Sequence, residues 1–139
     1  PRQKTVAAAV MLANSLAKAK LIVFTRHGTM ARYVSNLRPE RAPIFAFTPS
    51  EIICRQLALC WGTHPVFLEF TSDPNRTIEA ATEYLRKENL TRPNDNLVIL
   101  SDLHAGDQQI DAIQVRQAKG GDESPNEPPT IGAQESMMD

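Results

Sequence analysis

The segment Leu21-Ile22-Val23-Phe24-Thr25-Arg26-His27-Gly28-Thr29-Met30-Ala31-Arg32 holds the residue types and order best suited to chemistry in this chain. Leu21–Phe24 is apolar, with two β-branched residues in the middle, and reads as a buried strand. A polar turn containing Gly28 follows, and a helical pattern starts at about Met30. A strand that runs through a glycine turn into a helix leaves the first N–H groups of that helix without carbonyl partners. Together with the helix dipole they make a site for an anion. The side chains that flank this turn are Thr25, Arg26, His27, Thr29 and Arg32. Hydroxyls, an imidazole and two guanidinium groups suit a phosphate or a carboxylate. They do not suggest covalent catalysis.

Other candidate chemistries are weaker. His27, His64 and His104 are far apart and lack the paired spacing of metal ligands, so no metal is expected. Cys54 and Cys60 lie six apart in a helical stretch, which is neither a redox motif nor a zinc motif; both read as small buried apolar residues. Ser101, Asp102 and His104 are too close in sequence for a hydrolase triad and lack a nucleophile elbow. Trp61 reads as a packing anchor.

Alternating helices and strands must position the turn. Residues 4–19 predict a helix capped by Thr5, with Val6, Ala9, Val10, Leu12, Ala13 and Leu16 on one stripe. The strand Leu21–Phe24 and the short helix Met30–Leu37 follow, the latter stopped by Pro39. Ile44–Phe47 is a second strand. Thr48-Pro49-Ser50-Glu51 announces a helix reaching about Leu59. Val66–Phe70 reads as a third strand and residues 73–89 as the longest helix, whose Glu79, Glu83, Arg86 and Lys87 suit ion pairing along one face. Leu97–Leu100 is a fourth strand. Ile110, Ala112, Ile113 and Val115 suggest a short last one. This alternation implies an α/β fold with a mainly parallel sheet and helices on both faces, and ligands in such sheets gather at the carboxyl ends of the strands.

Composition limits the partners. Hydrophobic content of 42% and charged content of 22% are those of a globular protein, and 139 residues suffice for one domain. No apolar run approaches the ~20 residues of a membrane span. Nor does the start of the chain read as a signal peptide, and free cysteines suit a reducing, cytoplasmic setting. The formal net charge of −1 hides an asymmetry: residues 1–60 hold nine Lys/Arg and two Asp/Glu, whereas residues 119–139 hold one against five. The basic half carries the anion turn, but its cations are scattered and not interleaved with aromatic residues, which argues against nucleic acid. Residues 119–139 read as a disordered acidic tail rich in Gly, Pro and Ser, leaving 1–118 as the folded domain.

The chain resembles the C-terminal domain of pyruvate kinases over roughly residues 3–116. Four blocks carry the resemblance: Thr5-Val6-Ala7-Ala8-Ala9-Val10; Ile22-Val23-Phe24-Thr25 with Gly28 and Ala31-Arg32; Arg38-Pro39 with Ala42-Pro43-Ile44-Phe45-Ala46-Phe47-Thr48-Pro49; and Arg55-Gln56-Leu57-Ala58-Leu59 with Trp61-Gly62 and Pro65-Val66. It implies a three-layer α/β sandwich with a five-stranded sheet whose last strand is antiparallel. A regulatory and assembly role is implied rather than a catalytic one, because phosphoryl transfer in that family occurs on a (β/α)₈ barrel, which needs about 250 residues. The Mg²⁺ and K⁺ ligands belong to that barrel, so no cofactor and no turnover are expected of these residues alone. The implied partners are the barrel, further copies of the protein, and a sugar-phosphate effector held at Thr25, Arg26, His27, Gly28, Thr29 and Arg32. Alternatively, the chain is a stand-alone module that binds a phosphorylated metabolite on the same fold. The chain departs from the family at His27 and Met30, where small or hydroxyl residues are usual. It departs again at Ser101–Asp107, where Asp102 and Asp107 replace a Gly- and Thr-rich stretch and would repel a phosphate they faced.

Overall fold

The computed structural model describes residues 2–102, 104–105, 108–109 and 111–120. Its elements in chain order are α1 (Arg2–Ser15), β1 (Ala19–Phe24), α2 (Thr29–Asn36), β2 (Ile44–Thr48), α3 (Glu51–Leu57), β3 (Thr63–Phe67), α4 (Pro74–Lys87), β4 (Asn96–Ser101), the two-residue strands β5 (His104–Ala105) and β6 (Gln108–Gln109), and β7 (Ala112–Gln117). The main sheet runs β3-β2-β1-β4-β7. The first four strands are parallel and β7 is antiparallel to β4, as the sequence and its resemblance imply. β5 and β6 pair with each other as a small antiparallel ladder.

The central strands are apolar on both sides because both faces of the sheet are covered. Leu21, Val23, Ile44, Ala46, Val98 and Leu100 face α1, α2 and α3, where Val6, Ala9, Val10, Ala13, Met30, Ala31, Val34 and Leu57 complete one core. Ile22, Phe24, Phe45, Phe47, Leu97 and Ile99 face α4 and pack on Ile78, Ala81 and Leu85. Alternation along each strand thus feeds two cores from a single run of hydrophobic residues. On the α4 side Phe24 stacks on Phe47 with ring centroids 5.5 Å apart and meets the edge of Phe70 at 5.9 Å.

Several boundaries differ from those predicted. α1 begins at Arg2, so Thr5 lies inside its first turns and is not its cap. α3 is capped by Ser50, whose Oγ accepts from the Ile53 N–H at 3.2 Å, and it ends at Leu57. β3 lies at Thr63–Phe67 instead of Val66–Phe70, held by the pairing of Ile44 with Thr63 and of Thr48 with Phe67. It is an edge strand, where Pro65 costs the sheet little. Cys54 and Cys60 are half-buried, and Cys60 packs against the edge of the core. α4 is capped by Asp73, with Pro74 in its first turn. Glu83 pairs with Arg86 and Lys87 on its outer face. Of the segment 119–139, read as a tail, residues 121–139 lie outside the described residues.

At the amino end of the sheet, Asp95 ties the turn before β4 to β1. Its Oδ2 accepts from the Arg92 N–H at 2.8 Å and lies 3.2 Å from the Lys20 ammonium, with only 3% of the side chain exposed. Burial pushes this carboxyl up, but the Arg92 N–H and the Lys20 ammonium outweigh it and hold the group below the usual aspartate range. The charged form therefore favours folding. Its contribution is complete above the unfolded value near 3.9 and is lost as pH falls through the lower folded value. Asp95→Asn is expected to cost about 1–2 kcal/mol at neutral pH. Denaturant titrations of both proteins from pH 7 to pH 3 should show that difference shrinking below about pH 4.

Candidate functional site

β1 is followed by β2 on one side of the sheet, while β4, reached through α4, lies on its other side. The carboxyl ends of β1 and β4 therefore flank the point where strand order reverses, and ligands of open α/β sheets bind in such crevices. The turn 25–28 leaves β1 here, and Asp102 follows β4 here, because Phe24 is registered with Ser101.

The turn is built from the inside. Thr25 is buried; its N–H donates to the Phe47 carbonyl at 3.0 Å and its Oγ1 accepts from the Gly28 N–H at 2.8 Å. That hydroxyl closes the turn and aims the residues beyond it. Gly28 caps α2 in the left-handed region, with φ 87°, and no side chain caps the helix. Among the described residues, the N–H groups of Arg26, His27, Thr29, Met30 and Ala31 find no acceptor, and the first bond back into the turn is from Arg32 N–H to the Gly28 carbonyl at 3.0 Å. These unpaired donors stand at the positive end of an eight-residue helix.

The two cations are pinned on opposite sides of the sheet. Arg32, on α2, donates to the His27 carbonyl at 3.1 Å and to Gln56 Oε1 of α3 at 2.9 Å. Arg26 lies over the Phe70 ring, 5.1 Å from its centroid, on the α4 side. His27 is exposed and Thr29 half-buried at the helix start. The six residues expected at the site thus lie together between the carboxyl end of β1 and the first turn of α2. Thr25 and Arg32 shape the loop, whereas Arg26 and His27 stand at its surface.

Neither partner is singled out by the sequence as a site residue: Gln56 belongs to the block Arg55–Leu59 that carries the family resemblance, and Phe70 reads as the end of a strand. A third missing participant is Arg2, whose guanidinium lies 3.8 Å from Asp102 and 3.7 Å from Asp111. Elsewhere little chemistry gathers. Burial, reinforced by Glu51, pushes the Cys54 thiol up against the opposing pull of Arg55, which keeps it protonated and a poor nucleophile. Trp61 is partly exposed, with the Arg38 guanidinium 5.4 Å from its ring centroid, and its carbonyl accepts from Ser35 Oγ at 2.8 Å. Among the described residues no group of three or more His, Cys, Asp and Glu is placed to hold a metal ion.

Residues 3–116 match the family model described as pyruvate kinase, alpha/beta domain. The chain belongs to this family. It is 37% identical over 119 residues to plastidial pyruvate kinase 3, chloroplastic, of Arabidopsis thaliana, a match covering 81% of this chain and 20% of that protein. It is also 32% identical over 87 residues to a pyruvate kinase of Clostridium acetobutylicum, covering 63% of this chain and 18% of that one. The pyruvate kinase α/β domain thus spans about a fifth of the length of these relatives. The structure of Cryptosporidium parvum pyruvate kinase in complex with ADP superposes with a TM-score of 0.74 at 21% identity, covering 84% of this chain and 23% of that one, and so shares the fold. Relatives named as chloroplast proteins stand beside bacterial ones, so membership does not fix a compartment. Among the described residues no helix is long and apolar enough to cross a membrane.

Proposed function

We propose that this pyruvate kinase α/β domain is a non-catalytic regulatory and assembly module. It docks on a catalytic barrel in the parent protein, supports its oligomerisation, and binds a phosphorylated effector at the turn 25–32. The barrel and the phosphoryl transfer are inferred from the relatives, whose lengths are about five times the matched segment. The effector reading rests on one observation: five backbone N–H groups, those of Arg26, His27, Thr29, Met30 and Ala31, that find no acceptor among the described residues, at the switch point of the sheet.

Such donors hold phosphate oxygens directly, without a proton transfer. Exposed Arg26, held beside the turn by Phe70, and exposed His27 supply further donors at the rim, while Arg32 stays on its two acceptors and holds the loop. Met30 is fully buried in the core, so its side chain contributes packing and only its N–H is offered. A sugar phosphate at one hundred times its dissociation constant is expected to stabilise the chain by about 2.7 kcal/mol. Thermal unfolding with increasing sugar phosphate measures this directly. No rise in Tm at millimolar ligand removes the effector role and leaves family membership untouched.

A further inference from the structure

Resting on the anion-site reading above, we infer that Arg2 is a positioning residue for that site. It offsets one of the two carboxylate charges at the carboxyl edge of β1 and β4 and so lowers the repulsion that an anion meets there. Asp102 directly follows Ser101, which is registered with Phe24, and so lies one step from the turn that begins at Thr25. Asp111 stands immediately before β7, which pairs with β4 from Ser101 onward. Both carboxylates are thus fixed at the same edge as the unpaired N–H groups. Left uncompensated, two negative charges there would oppose a third on a phosphate. α1 packs against α2 and β4 with its first residue at this edge. Its Arg2 guanidinium reaches Asp102 at 3.8 Å and Asp111 at 3.7 Å. The side chains of Arg2, Asp102 and Asp111 are 32%, 13% and 29% exposed, so the cluster is shielded enough for its charges to be felt beyond a Debye-screened surface pair. Arg2 bonds to no anion itself. It acts through the two aspartates.

The test titrates inorganic phosphate into the full chain at low ionic strength and follows the backbone amide resonances of residues 26–31. Arg2→Gln is expected to weaken phosphate binding about fivefold, the effect of one unbalanced charge across roughly two strand spacings at an intermediate effective dielectric. Arg2→Lys, which keeps the charge, should stay close to the native affinity. Asp102→Asn with Asp111→Asn in the Arg2→Gln background, which takes the cluster from −2 to 0 against −1 in the native chain, should raise the affinity to the native value or above it, a rescue that a merely structural role for Arg2 does not predict. Equal affinity in the native chain and Arg2→Gln, or no rescue, overturns the role of Arg2 alone. Unperturbed amides in every protein remove the anion site and the role of Arg2 together. Should Arg2→Gln fail to fold, Asp102→Asn with Asp111→Asn on the native Arg2 decides: tighter phosphate binding is expected, and unchanged affinity overturns the role.

Discussion

Replacing Gly28 with valine is expected to destabilise the domain by about 2–3 kcal/mol and to lower Tm by roughly 8–12 °C. The cost lies in the backbone. Gly28 sits at φ 87°, a region that side chains branched at Cβ disfavour strongly. A Cβ there would also lie 2.8 Å from Arg32 Nη1. The guanidinium is the far end of a flexible side chain and would swing away, but it would then give up the His27 carbonyl and Gln56. The loop would lose its fixed shape with only modest further loss of stability. Two readouts separate these effects: urea unfolding reports the backbone strain, and phosphate titration reports the loop. Gly28→Asn is the control, because asparagine tolerates the left-handed region; it should cost less than half as much as valine. Equal stability of the native and Gly28→Val proteins would mean that the turn is not held in the left-handed conformation.

The legible parts of this fold are those dictated by local chemistry. Leu21–Phe24, Ile44–Phe47 and Leu97–Leu100 are apolar on both faces, and each lies in a central strand buried on both faces. Asp73 before Pro74 marks a helix start that any reading of caps would find. The turn at 25–28 is legible for the same reason, since a strand, a glycine and a helix follow each other without interruption. The third strand was less legible because it is an edge. Its Thr63, His64 and Pro65 carry no strand signal, and only the register against β2 makes them part of the sheet. Phe70, read as its end, instead leaves the sheet to pack on Phe24 and carry Arg26. The pair β5–β6 fell in a polar stretch with no apolar alternation.

What surrounds the turn was not legible at all. Gln56 reaches Arg32 across 24 residues of sequence, and Arg2 meets Asp102 and Asp111 from the opposite end of the domain. Such pairs are set by how α1 and α3 lie on the sheet, and no local pattern encodes that. Asp102 shows the consequence. In the sequence it counts against a phosphate; in the structure an arginine stands beside it, and its charge must be weighed with that partner.

The core under the turn should be still more sensitive than the turn itself. Phe24→Ala is expected to cost about 3–5 kcal/mol, the range for removing a fully buried phenylalanine. Phe24 has no exposed surface. Its ring joins Phe47 in β2 to Phe70 in the segment after β3, so truncation leaves a cavity bordered by three elements that cannot all close on it. With total stabilities of small domains near 5–15 kcal/mol, this change consumes a large share of what holds the chain folded. Phe24→Leu keeps most of the volume and should cost less than about 1.5 kcal/mol. A second effect follows from the same contacts. Phe70 carries the Arg26 guanidinium at 5.1 Å and rests on Phe24, so Phe24→Ala also removes the support that places Arg26 beside the turn. Urea denaturation of the three proteins, analysed by linear extrapolation, measures the stability order. A loss below 1.5 kcal/mol for Phe24→Ala would show that the aromatic cluster is not packed as a core, and that Arg26 is held by something other than the Phe24–Phe70 stack.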